Sequence, residues 1–251
     1  MEEKVTLEWR FTPENFFEVL FEHKVERCTF DIKDGKVIAD VSAIEEKEYT
    51  SIHDELNGFF LGAQLIGHQR YTLSNFDIIR ACPDGSRSIA LSIRGVVEAV
   101  TLVEKPDLVI TDGQGNVEHD SRAERIQDRR EFAALAAKHR NDPIAVAVLK
   151  SYRAAVEEPR IELIRLYEIR DALAKHYGGE GDARKVLGIS KNDWSRLGYL
   201  ANEAPLNQGR HRGKKVGELR DATDAELNEA RKIAHAMIRA YLKHIENKHW
   251  R

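Results

Sequence analysis

The chain has 251 residues, 42% of them hydrophobic and 32% charged, which is enough apolar material for one large domain or two ordinary ones and too much for a disordered tail. With a mean hydropathy of −0.50 it holds no run long and apolar enough to span a bilayer, and the acidic start M-E-E-K-V-T-L-E-W lacks the apolar core of a secretory signal. Two cysteines, Cys28 and Cys82, allow at most one bridge, so the expected compartment is the cytoplasm, with no membrane contact.

Net charge is −3, unevenly spread. Residues 1–118 carry 12 Lys and Arg against 22 Asp and Glu, and residues 119–251 carry 27 against 20, so the halves stand at −10 and +7. That asymmetry predicts two units, the second facing a polyanion.

Along the first half, V-T-L-E-W-R-F alternates as a strand, and Thr12-Pro13 supplies a helix start before E-N-F-F-E-V-L-F-E-H. E-R-C-T-F-D-I and K-V-I-A-D-V-S read as a hairpin turning at Asp34-Gly35. Tyr49, Ile52, Leu56, Phe59 or Phe60, Ala63 and Ile66 recur at helical spacing, predicting a helix from about Glu45 to Ile66. A β-rich stretch from Ser88 to Val103 follows the turn C-P-D-G-S, and then comes L-V-I-T-D-G-Q-G-N. The order predicts an α+β unit over 1–118: a mostly antiparallel sheet with two helices, in a split βαβ-like arrangement. His53 and His68 stand apart from any repeated ligand spacing, so both read as structural histidines; the same holds for Cys28 and Cys82, and no metal or cofactor is expected.

D-G-Q-G-N-V-E-H-D marks a boundary near 112–122. A connecting helix is predicted over 119–142, then an all-α bundle over 143–251. Its helices start at Asp142-Pro143, Pro159, about Ala183, Ser190 and Thr223, the last with the capping box T-D-A-E, and Gly178-Gly179 stops the second of them.

Between two of these helices lies the basic loop Q-G-R-H-R-G-K-K, residues 208–215, with Arg210, His211, Arg212, Lys214 and Lys215 and no acidic residue. An arginine fork suits a phosphate, and a neighbouring histidine moves protons near neutral pH, the minimum for helping a ribose 2′-hydroxyl attack its own phosphodiester. The loop is the candidate site: Arg210, Arg212, Lys214 and Lys215 for nucleic-acid binding, and Arg210 with His211 for catalysis. D-A-R-K-V-L-G-I-S-K-N-D-W-S-R-L also has the form of a helix-turn-helix, in which Lys191, Asn192, Ser195 and Arg196 face a DNA major groove.

L-Y-E-I-R-D-A-L, then L-G-I-S-K-N-D-W-S-R-L, then Asn202 and the Arg210-His211 pair resemble a helical domain of uncharacterised bacterial and phage proteins, over about residues 143–250. More distantly the stretch looks like the HEPN superfamily, many of whose members are metal-independent endoribonucleases with an Arg and a His four to six residues apart at a dimer interface; here Arg210 and His211 are adjacent. The resemblance implies Asn202 as a further nucleic-acid-binding residue, RNA or a nucleotide as ligand, a homodimer, weak or absent ribonuclease activity and a role in bacterial or phage defence. The alternatives are a DNA-binding helix-turn-helix regulator and a protein-protein interaction module without nucleic-acid contact.

Overall fold

The computed structural model describes residues 4–42, 46–81, 87–90, 107–112, 114–210 and 219–248. These form an α+β fold in which a curled antiparallel sheet precedes a helical region. They gather into two compact units, Met1–Phe60 with Gln69–Ala134, and Leu61–His68 with Leu135–Arg251. No helix among the described residues is long and apolar enough to cross a membrane.

In the first unit, strand β1 (Lys4–Thr12) turns Val5, Leu7, Trp9 and Phe11 inward, all at most 2% exposed, while Glu8 and Arg10 face the other way. That is the period of two that the sequence shows. β2 (Phe21–Lys24), β3 (Thr29–Lys33) and β4 (Lys36–Ser42) pair in succession, and β4 pairs with β1. β5 (Thr72–Leu73) and β6 (Asp77–Ala81) also pair with β1, and β7 (Arg87–Ala90) closes the order β2-β3-β4-β1-β6-β7. The β3–β4 connection is the tight turn expected at Asp34-Gly35, whose φ angles are 48° and 76°. Two consecutive positive φ values are what a turn matching the twist of a hairpin requires. Gly35 also lacks room: a Cβ there would lie 2.8 Å from Glu14 Cγ and 3.2 Å from the Phe11 carbonyl oxygen.

The helix expected after Pro13 is not formed. A 3-10 turn spans Glu14–Phe16, and the chain then extends into β2. Phe16, Phe17 and Phe21 satisfy helical spacing on paper, but all three are buried, and Phe21 pairs with Ile32 across the β2–β3 ladder. Backbone pairing to β3 satisfies the same groups that a helix would. The aromatics form one cluster with Phe11, Phe59, Phe60 and Tyr71, ring centroids 5.0–6.0 Å apart in the pairs Phe16–Phe17, Phe17–Phe60 and Phe17–Phe59. Helix α1 (Glu46–Gly67) contributes Tyr49, Ile52, Leu56, Phe59 and Phe60, at the positions read from the sequence. The hairpin of β8 (Val109–Thr111) and β9 (Val117–Asp120) leads into α2 (Ser121–Lys138), where Arg129, 4% exposed, donates from Nη1 to the Phe16 carbonyl at 2.6 Å. The rest of the stretch to Val103, and Cys82, lie outside the described residues.

The second unit is built around α4 (Glu162–His176), which touches α3 (Pro143–Glu157), α5 (Glu180–Leu187), α6 (Lys191–Asn202) and α7 (Asp224–Lys248). Leu163, Leu166, Ile169 and Leu173 of α4 are fully buried, one stripe at helical spacing. Three start signals work as read, whereas Pro159 opens a 3-10 turn ahead of α4 and α5 begins at Glu180 rather than about Ala183. Asp142 Oδ1 accepts from the amides of Ile144 and Ala145 ahead of Pro143, and Ser190 Oγ accepts from the Asp193 amide. Thr223 and Glu226 exchange backbone-to-side-chain bonds of 2.9 and 3.3 Å, a complete capping box. Gly178 and Gly179 adopt positive φ and end α4, and Gly188, at φ 67°, closes α5 before the Ser190 cap of α6.

Candidate anion-binding site at the base of the basic loop

The loop enters from α6, and its described first residues are fixed by backbone contacts. Arg210 N–H donates to the Ala201 carbonyl at 2.7 Å and Gly209 N–H to the Leu206 carbonyl at 3.0 Å. Gly209 is required by this close passage, because a Cβ there would sit 2.9 Å from the Ala201 oxygen. On the exit side Arg220 N–H donates to the Pro205 carbonyl, Asn207 N–H to the Arg220 carbonyl, and Ala222 N–H to Gln208 Oε1. Asn207 Nδ2 reaches Asp221 Oδ1 at 2.8 Å.

The Arg210 side chain leaves the α6 terminus and lies on α4. Its guanidinium carbon stands 4.9 Å from the centre of the Tyr167 ring, and Nη1 makes one 3.3 Å contact with Asp171 Oδ2. Both partners of that pair are exposed, at 38% and 48%, so water screens it and its net worth is small. Tyr167 carries a second guanidinium: Arg170 is also 4.9 Å from its centroid, 5.2 Å from that of Trp194, and 3.4 Å from Glu180 Oε2. Arg170 occupies the space over Gly198, where a Cβ would collide with its Nη1. A glycine in the buried middle of α6 is thus the seat of an arginine from α4. The two arginines differ in setting: Arg170 is packed between helices, whereas among the described residues Arg210 is held by an aromatic face and one exposed side-chain contact.

Asn202 is half-buried in the last turn of α6, and its Oδ1 is buried without a hydrogen-bond partner among the described residues. His211, Arg212, Lys214 and Lys215 lie outside the described residues, so of the expected site Asn202 and Arg210 are placed.

Beside the loop base, a groove of about 450 Å³ runs between α6 and α7, lined by Asn192, Asp193, Ser195, Arg196, Tyr199 and Glu229. Arg196 is clamped here: Nε and Nη2 donate to Glu229 at 2.8–3.1 Å, and the guanidinium lies 5.5 Å from the Tyr199 ring centre. Arg220 makes a similar fork on Glu226 at 2.6 and 2.7 Å, and that fork, with the Thr223 bonds, holds the Glu226 carboxyl down at about 2.

A buried polar chain elsewhere in this unit escapes sequence reading. Glu162, 1% exposed, accepts from Arg231 at 2.5 and 2.8 Å; His68 Nε2 stands 3.3 Å from Glu162 Oε1, and His68 Nδ1 stands 3.1 Å from the Tyr152 hydroxyl. Burial drives the Glu162 carboxyl up, but the bonds from Arg231 and His68 outweigh it and leave its pKa below the usual range. In the first unit His53 Nδ1 accepts from Trp9 Nε1 at 3.0 Å. Burial pushes the Cys28 thiol up to about 11, with the Glu55 charge adding to it, so this sulfur is a poor nucleophile. Among the described residues no group of three or more His, Cys, Asp or Glu side chains could hold a metal ion.

No protein-family model, curated protein or solved structure matches this chain.

Proposed function

We propose that the helical unit binds nucleic acid, RNA foremost, or a nucleotide, through Arg210 and the basic segment that follows it. The observation that carries this reading is the state of Arg210: an exposed guanidinium laid on Tyr167 and engaged, among the described residues, by one 3.3 Å side-chain contact, just before a sequence containing Arg212, Lys214 and Lys215 and no acid. A phosphate offers the two-point acceptor that Asp171 does not supply in this geometry. The likeness to HEPN domains, a homodimeric state and a part in bacterial or phage defence belong to the same proposal. A helix-turn-helix role on DNA is less favoured by the geometry, since the Glu229 clamp occupies the guanidinium of Arg196 that would reach for a base edge.

The test is binding of labelled single-stranded RNA across a salt series. Each phosphate that a substitution leaves unneutralised should lower the slope of log affinity against log salt by about 0.7, so Lys214→Ala with Lys215→Ala should remove up to about 1.4 and Arg210→Ala about 0.7. His211→Ala decides whether chemistry follows: a binding loop keeps its affinity and has no cleavage to lose, whereas a metal-independent ribonuclease keeps binding and loses cutting. Purified protein that retains no RNA, DNA or nucleotide at low salt, where attraction is strongest, refutes the proposal.

A further inference from the structure

The groove between α6 and α7 is chemically unlike the loop beside it. Its lining carries Asp193 and Glu229 against Arg196, a formal charge of −1, whereas residues 210–215 hold two arginines, two lysines and a histidine with no acid. Phosphate is drawn to the loop and repelled by the groove. Tyr199, 40% exposed, forms part of the groove lining. The Arg196 guanidinium over that ring, locked by Glu229, adds a second flat surface of fixed orientation. Asn192 and Ser195, both exposed, supply an amide and a hydroxyl along α6, two turns and one turn before Tyr199.

A ligand that suits such a lining is flat, neutral and edged with hydrogen-bond donors. The depression is shallow and open to solvent, a surface on which a ring lies with one face covered. Glu229 receives Arg196 on both oxygens, yet a carboxylate has about four acceptor positions, so part of its capacity remains for an amino group. Carboxylates accept from the exocyclic amine of cytosine in this way. Tyr199 is also close in sequence to the loop, because its carbonyl accepts from the amides of Glu203 and Ala204 where α6 gives way to the loop entry.

We propose that this groove seats a nucleobase of single-stranded RNA, the base stacking on Tyr199 and turning an amino edge to Glu229 and Asp193. The inference rests on the proposed RNA-binding function and names which part of the strand goes where. The loop supplies affinity that is indifferent to sequence, and the groove supplies preference for base-bearing, amino-bearing strands.

The experiment uses the full chain and three labelled strands of about 10 nucleotides, a length on the scale of one single-strand binding site: oligocytidine, oligouridine and an abasic backbone. Fluorescence anisotropy at low salt should show oligocytidine binding about 5- to 100-fold tighter than the abasic strand, the scale of one stacked base. Tyr199→Leu should bring the two together while leaving the salt slope unchanged, and Tyr199→Phe should keep them apart. Asp193→Asn with Glu229→Gln should erase the preference for oligocytidine over oligouridine; any gain in phosphate attraction from releasing Arg196 raises both strands alike and cancels in the ratio. Equal affinity for oligocytidine and the abasic strand, or a ratio untouched by Tyr199→Leu, overturns the groove assignment and leaves loop binding standing. Failure of all three strands to bind overturns the RNA-binding function itself, and the groove assignment falls with it.

Discussion

Glu162 and Arg231 form an ion pair with unequal burial, and that inequality predicts which half is worse to lose. Glu162 is 1% exposed on its side chain and Arg231 27%. Removing one member of a buried pair strands the other, at about 3–5 kcal/mol when the survivor is fully buried. Arg231→Met keeps the aliphatic stem but leaves a buried carboxylate with only His68 at 3.3 Å, so a loss of about 3 kcal/mol is expected. Glu162→Gln leaves an arginine that can turn toward water and still meet the amide oxygen, and should lose about 1–2 kcal/mol. The double variant should lose less than the sum by at least about 1 kcal/mol, since neither charge is then stranded. Urea unfolding followed by far-UV circular dichroism, with the slope of each transition checked against the parent, measures all three. The effect also has a pH signature. The folded pKa of Glu162 lies below its reference of 4.5, so the pair's stabilisation is complete above that value and is lost as pH falls through the folded pKa. A cost for Glu162→Gln equal to or above that for Arg231→Met would refute the argument from burial.

Asp142 serves two elements, capping α3 through the Ile144 and Ala145 amides and accepting the Tyr241 hydroxyl at 2.9 Å, so Asp142→Ala should destabilise by about 2–3 kcal/mol and Tyr241→Phe by only part of that, in the same urea assay. In the first unit, burial lowers the pKa of His23 and, against a smaller opposing effect of Asp54, that of His53. The unfolded chain then binds more protons than the native one, so this contribution to stability is intact above the reference value of 6.5 and is lost as pH falls below it; His53→Gln should flatten the dependence, and stability that rises on acidification would contradict it.

Local chemistry was the legible part of the sequence. The Val5, Leu7, Trp9 and Phe11 alternation, the Asp34-Gly35 turn, the Asp142-Pro143 start and the Thr223–Glu226 box each depend on neighbours within a few positions, and each is formed as read. Phe16, Phe17 and Phe21 misled because their spacing fits a helix equally well, and the competing ladder partner, Ile32, lies 11 positions beyond Phe21. The same limit governs the site. Arg210 stood out through the composition of its loop and Asn202 through the resemblance, but Tyr167 and Asp171, which receive the Arg210 side chain, sit about 40 positions upstream on an ordinary amphipathic helix. Glu162 carries no signal in the sequence because its partners, His68 and Arg231, are 94 and 69 positions away. Gly198 likewise lies 28 positions from Arg170, the side chain that fills the space over it.

The tied neck at 205–210 and 220–222 has a bearing on how this protein could vary. Bonds from Arg220 to Pro205, from Asn207 to Arg220 and Asp221, and from Ala222 to Gln208 fasten the two sides of the connection to each other. Lengthening a closed connection is inexpensive, about 0.6 kcal/mol for each doubling, so residues could be added or exchanged there while α6, α7 and the neck keep their places. A lineage can rewrite codons between 211 and 218 without asking the bundle to refold around the change.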